Sequence, residues 1–158
     1  MSFYSVDLSF YDHENNSHYI LFDEIVENGL LQNDTIFIPR SINIGFENFI
    51  IKRISIYIQN SFIKSIVLAD DSEIASIENL KLKFIENISI SSSLKEFKFN
   101  YSIEHLKKIT ISPLNKNFMF IDDQYLLGKT NIDQDNFDVL LFARRDIIEA
   151  IIPPYIKV

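Results

Sequence analysis

The sequence predicts a β-rich α/β solenoid, a right-handed coil of short strands joined by short helical or irregular return legs. Three observations predict it. First, a six-residue phrase recurs: apolar, two mostly polar residues, apolar, one variable residue, apolar. It reads Ile51-Lys-Arg-Ile54-Ser-Ile56, Ile63-Lys-Ser-Ile66-Val-Leu68, Ile85-Glu-Asn-Ile88-Ser-Ile90 and Leu106-Lys-Lys-Ile109-Thr-Ile111. Leu94-Lys-Glu-Phe97-Lys-Phe99 also fits, and Ile147-Ile-Glu-Ala150-Ile-Ile152 is a looser copy. Second, the copies starting at 63, 85, 106 and 147 are 22, 21 and 41 residues apart, the last close to two of the shorter steps. A constant step of that size marks coils stacked on one another. Third, Ile and Phe are abundant while only 3 of 158 residues are Gly, a composition that favours strands.

The step lies in the ~20–29 residue range of leucine-rich repeats, so the coil is leucine-rich-repeat-like. Phe3 to Tyr11 alternate, with Tyr4, Val6, Leu8 and Phe10 on one face, which describes a half-buried strand. A polar turn at 12–17 and a second strand from His18 to Phe22 complete an opening hairpin, and Asp23 to Asn28 form one helical turn closed by Gly29. Residues 1–34 are read as an N-terminal cap, because an open coil end exposes core side chains and strand edges. Residues 35–158 are the solenoid. Within each phrase the last two apolar residues share one strand face and the residue between them points outward. Ile74, Ile77 and Leu80, at steps of three, predict a short helical or 3₁₀ return leg between Asp70 and Leu80. Residues 114–146 break the period and read as an elaborated coil, hairpin-like, with its turn at Asp122-Asp123. The last residues, from Ile152, look like the start of a coil that does not finish.

Charge and composition narrow the partners. The net charge is −7 with no basic block, which argues against nucleic acid, whose affinity comes mainly from cation–phosphate contacts. An anionic membrane surface is disfavoured for the same reason. No signal-peptide pattern opens the chain, and its apolar stretches are too short to span a bilayer, so no direct membrane insertion is expected. With no cysteine there is no disulfide, thiol nucleophile or cysteine zinc site, in keeping with a reducing compartment.

No catalytic or cofactor arrangement emerges. His13, His18 and His105 are the only histidines, lack metal-ligand spacing and read as solvated surface groups. Asn131, Asp133 and Asp135 match the first ligand positions of an EF-hand loop. Asn136 replaces its glycine, however, and Phe142 its terminal glutamate, so a solvated acidic loop is expected and no metal site. Asp70-Asp71 and Asp122-Asp123 read as turn formers. Arg144-Arg145 are balanced by Asp146 and Glu149. The candidate protein-binding residues are the outward ladder of Arg53, Ser55, Ser65, Val67, Asn87, Ser89, Lys98, Lys108 and Thr110, because stacked coils bind partners through such sheets. The same residues also describe the wet side of any sheet, and residue type alone does not separate the two.

Several segments together resemble the BspA-like leucine-rich repeat proteins, in particular the surface antigens of parasitic protists. Ile38-Pro-Arg-Ser-Ile42 followed by Ile44-Gly-Phe-Glu-Asn-Phe49 is similar to that family's repeat unit. The stretch from Asn115 to Phe118, then Asp122-Asp123, Leu126 to Lys129, Phe137 to Leu140 and Phe142 to Asp146, resembles its elaborated coil. The resemblance covers roughly 35–158. The unit's Ala-Phe pair is absent from most coils and its usual cysteine is missing throughout. It implies a non-enzymatic protein-interaction or adhesion module acting on a protein partner, host or self, at the cell surface. The missing signal, anchor and cysteine leave two alternatives, an intracellular scaffold or a partial repeat copy without a retained partner.

Overall fold

The computed structural model describes residues 6–98, 105–144 and 156–157. The alternating stretch at the start forms strand β1 (Val6–Asp12), with Val6, Leu8 and Phe10 turned inward. A turn with Asn15 at a φ of 66° leads into β2 (Ser17–Ile20), antiparallel to β1. Helix α1 (Phe22–Glu27) follows, so the second strand stops two residues short of the predicted end. Its start is closed by the Leu21 N–H donating to the Glu24 carboxylate at 3.0 Å. Its end is closed by Gly29 at a φ of 69° and by the Leu30 N–H donating to the Ile25 carbonyl at 2.9 Å.

After the helix come β3 (Leu31–Gln32), β4 (Thr35–Ile38), β5 (Ser41–Ile44), β6 (Glu47–Ile58), β7 (Ser65–Leu68), β8 (Ser76–Leu82) and β9 (Asn87–Ile90). The remaining strands are β10 (Glu96–Phe97), β11 (Lys108–Ile111), β12 (Met119–Ile121), β13 (Tyr125–Gly128) and β14 (Val139–Ala143). They form three sheets. One runs β10-β8-β6-β1-β2 with β5 on the first half of β6, a second runs β11-β9-β7-β4-β3, and the third is β12-β13-β14. The chain alternates between the first two sheets, adding parallel strands to each, while β1, β2, β3 and β5 pair antiparallel.

This corrects the predicted α/β solenoid. The described residues are 50% strand and 4% helix, in three mixed or antiparallel sheets of which none is closed, and the return leg expected to be helical is strand β8. The step of three that suggested a helical leg has a different cause. Ile54 pairs with Ile77 and Ser55 with Asn79, so Glu78 is an unmatched residue in β8. A bulge of this kind shifts the inward positions from Ile77 to Leu80 without leaving the extended conformation. The repeated phrase is likewise not confined to one sheet. Ile51 to Ile56 and Leu94 to Phe97 belong to the β6-β8-β10 side, whereas the copies at 63, 85 and 106 feed β7, β9 and β11.

The inward rows stack in register. Ile36, Ile66, Ile88 and Ile109 form one column of the second sheet, each at most 2% exposed, and Ile54, Ile77 and Phe97 form its counterpart in the first. Both columns belong to a single apolar core, so the outer faces of the two sheets point away from each other. The first apolar residue of a phrase lies at a corner between sheets at Ile63, Ile85 and Leu106 on one side and Leu94 on the other, with Ile74 at the corner before β8; Ile51 instead lies within β6, at a register shift against β1, and all are buried. Burying an Ile side chain stabilises a fold by about 1.5–3 kcal/mol.

At the next corner, 21 residues beyond Leu94, the position falls on buried Asn115. Its Nδ2 donates to the carbonyls of Ser91 at 2.8 Å and Leu94 at 3.1 Å, and its Oδ1 accepts the Asn117 N–H at 2.8 Å. Phe118 then packs edge-on against Phe97, ring centres 6.3 Å apart. Beyond it the chain builds the antiparallel β12-β13-β14 sheet through a turn at Asp122 and Asp123, both at positive φ. Leu126 and Phe142 of that sheet join the main core, while Tyr125 and Leu127 pack with Ile156. Residues 145–155, with the looser copy of the phrase and Arg145, Asp146 and Glu149, lie outside the described residues. Among the described residues no helix is long and apolar enough to cross a membrane.

Candidate functional site

The predicted ladder is divided between two faces. Ser65, Val67, Asn87, Ser89, Lys108 and Thr110 lie on the outer side of β7, β9 and β11, exposed or half-buried, in two rows. Thr35, Ser65, Asn87 and Lys108 form one row; Phe37, Val67, Ser89 and Thr110 form the other. Asn87 Nδ2 donates to Ser65 Oγ at 3.3 Å, tying adjacent strands, and Lys108 has no ion pair among the described residues. Along one border Glu86 lies between Lys64 and Lys107, 3.6 Å from each ammonium. Exposed pairs of this kind contribute about 0–1 kcal/mol each, so they order the border more than they stabilise it.

Arg53, Ser55 and Lys98 lie on the opposite side of the molecule, with β6 and the end of β10. Arg53 is already engaged: its guanidinium lies 4.2 Å from the Tyr11 ring centre, with Nη1 3.1 Å from Glu78 and Nη2 2.6 Å from Asn15. Lys98 reaches the second oxygen of the same Glu78 carboxylate at 3.4 Å. The unmatched Glu78 thus ties three strands, and these residues do not join the ladder on β7, β9 and β11.

Of the three histidines, His18 departs from the solvated reading. Its side chain is 16% exposed, lying between the rings of Phe10 and Phe49 at 4.9 and 4.0 Å. Its Nε2 is 2.7 Å from Asp12 Oδ2, while Asp12 Oδ1 accepts the N–H groups of Glu14 and Asn16. The His18 bond above all holds the Asp12 carboxyl below the usual carboxylate range, helped by those two backbone bonds. Sequence reasoning missed this pair, although the period of β1 carries inward alternation from Phe10 to Asp12. The arrangement anchors the β1-β2 turn. His105 is exposed and stacks on Phe84 at 5.7 Å, and His13 is exposed beside Glu14.

The acidic loop between β13 and β14 also has a different centre from the one its spacing suggests. Asn131 Oδ1 accepts the Asp133 N–H, closing a turn. Buried Asp138 instead organises the loop, accepting the Thr130 N–H at 2.9 Å, the Thr130 hydroxyl at 2.8 Å and Gln134 Nε2 at 2.7 Å, with the Lys157 ammonium at 3.4 Å. The Thr130 bonds, backbone first, lower its pKa from 3.8 to about 2. A folded pKa below the unfolded one adds stability that is complete above about pH 4 and disappears as pH falls through about 2. Denaturant midpoints measured between pH 4 and 2 are therefore expected to fall less steeply for Asp138→Asn than for the parent chain. An unchanged slope would mean that the carboxylate does not hold this loop. No group of three or more His, Cys, Asp or Glu among the described residues is placed to hold a metal ion. Compared with models of known protein families, with curated proteins and with solved structures, the chain matches none.

Proposed function

We propose that this chain is a non-enzymatic protein-interaction module whose partner lies across the outer face of the β4-β7-β9-β11 sheet. The observation that supports this reading is the face itself. Four parallel strands in register present Ser65, Val67, Asn87, Ser89, Lys108 and Thr110, opening at Phe37, on a core-anchored scaffold. Positions on a rigid sheet are fixed before binding, so little ordering entropy is lost when a partner docks. The mixture of hydroxyls, one amide, one ammonium and two apolar groups suits a polar, shape-matched protein surface. The resemblance to BspA-like surface antigens supports adhesion as the biological form of this role.

The test is proximity cross-linking from this face in the source cells. Partners captured by the parent chain are expected to fall about tenfold or more with Val67→Glu, Ser89→Glu and Thr110→Glu together, the scale of losing a central contact patch. They are expected to persist when Arg53 and Lys98 are changed to alanine on the opposite face. Equal capture by the triple variant, with unchanged circular dichroism, would retire the face. Labelling intact cells separates adhesion from an intracellular scaffold, since a protein reached only after permeabilisation is not an adhesin.

A further inference from the structure

We infer that a groove beside β10, away from the β4-β7-β9-β11 face, takes a short acidic peptide segment carrying one bulky apolar side chain. The groove lies between the β10 segment, Asn117-Phe118 and the β13-β14 hairpin, with a volume of about 270 Å³. That is just under the ~300–1,000 Å³ of small-molecule sites, enough for one large side chain and its flanking backbone. Phe97, Phe118 and Leu141 supply its apolar surface, and Ile132, 48% exposed, stands at its edge.

Charge selects the occupant. The ionisable residues lining the groove are Lys95, Lys98, Lys129 and Glu96, three cations against one anion in a chain whose net charge is −7. Glu78 engages Lys98, Lys129 lies 4.9 Å from the Phe137 ring centre, and Lys95 has no ion pair among the described residues. Lys95 and Lys129 are therefore the two ammonium groups available to carboxylates flanking an inserted apolar side chain. The wall is close-fitted: a Cβ on Gly128 would come within 2.8 Å of Leu141 Cδ1. Apolar insertion with acidic flanks is the pattern that such a lining complements. Only Lys98 is common to this groove and the ladder, and it belongs to the part of the ladder that the β4-β7-β9-β11 face does not use. The two readings therefore stand or fall separately.

The probe is a fluorescein-labelled peptide with a central leucine flanked on each side by glutamates, titrated with the full chain at low ionic strength and read by anisotropy. Saturable binding is expected, weakened about tenfold by Lys95→Glu with Lys129→Glu, and by about as much when glutamine replaces the peptide's glutamates. Raising the salt should weaken it further, because these charges are open to solvent at least in part. Replacing the leucine by serine should abolish the signal. Lys95 is exposed and Lys129 half-buried, neither in the core, so circular dichroism of the double variant should match the parent and leave the comparison interpretable. Absence of saturation, equal binding of the glutamine peptide, or equal binding by the double variant would each overturn the assignment.

Discussion

Replacing Ile88 by alanine is expected to lower unfolding free energy by about 2–5 kcal/mol, the cost of truncating a close-packed aliphatic side chain. Ile88 is 1% exposed and lies in β9 between Ile66 and Ile109, with the other sheet's apolar rows across the same core. Its removal leaves a cavity that neighbours on both strands are held too firmly in register to fill. Ser89, the next residue along, faces outward, and Ser89→Ala is expected to change stability by no more than about 0.5 kcal/mol. Ile54→Ala, in the opposing sheet, should cost as much as Ile88→Ala because one core serves both. Urea midpoints of the three variants check this. A loss below about 1 kcal/mol at Ile88, where aliphatic truncation in a core typically costs 2–5, would mean the two sheets do not share a packed interior.

The second large effect concerns a substitution that pattern alone would recommend. Corner positions preceding Asn115 carry Ile74 and Leu94, so Asn115→Leu restores the apparent rule. It is nonetheless expected to destabilise the protein by about 2–4 kcal/mol. The Ser91 carbonyl loses a 2.8 Å donor and the Asn117 N–H loses a 2.8 Å acceptor at a buried site, and each stranded group costs about 1–3 kcal/mol. The Leu94 carbonyl keeps a partner in Asn117 Nδ2 at 3.0 Å, which limits the loss. Equal or greater stability of Asn115→Leu in denaturant titration would show that this corner is governed by apolar packing like its predecessors.

Much of the strand content was legible, because a period of two between inward residues is a direct imprint of the pleat. Val6, Leu8 and Phe10, or Ile66 and Leu68, could only be read one way. The step of three was ambiguous. Ile63 to Ile66 crosses a corner, Ile51 to Ile54 and Ile77 to Leu80 each span an unmatched strand residue, and a helical turn would give the same spacing. Nothing in an isolated sequence distinguishes these, since the difference lies in which partner strand supplies the hydrogen bonds. For the same reason the phrase did not reveal its sheet: both walls require apolar, variable, apolar. The ladder of candidate residues was accordingly read as one surface, although Arg53, Ser55 and Lys98 lie on the other wall. Asp12 with His18, Asn115 and Asp138 were missed because a buried polar group declares itself only through its partners. Asp12 alone offered a clue, standing in register with Phe10.

The short terminal strands β2 and β3 carry a consequence for behaviour at high concentration. A stack of parallel strands offers its next edge to any similar segment, which invites head-to-tail growth into fibres. Here one end of each main sheet finishes on a short strand: β3, two residues long, runs against the parallel strands of its sheet, and β2, four residues long, lies beyond the reversed strand β1. A second molecule arriving there meets an edge too short to extend the stack, and at β3 one of opposite polarity as well. The opening hairpins thus act as terminators of polymerisation from that end, keeping a chain made of mutually compatible rungs from templating its own aggregation.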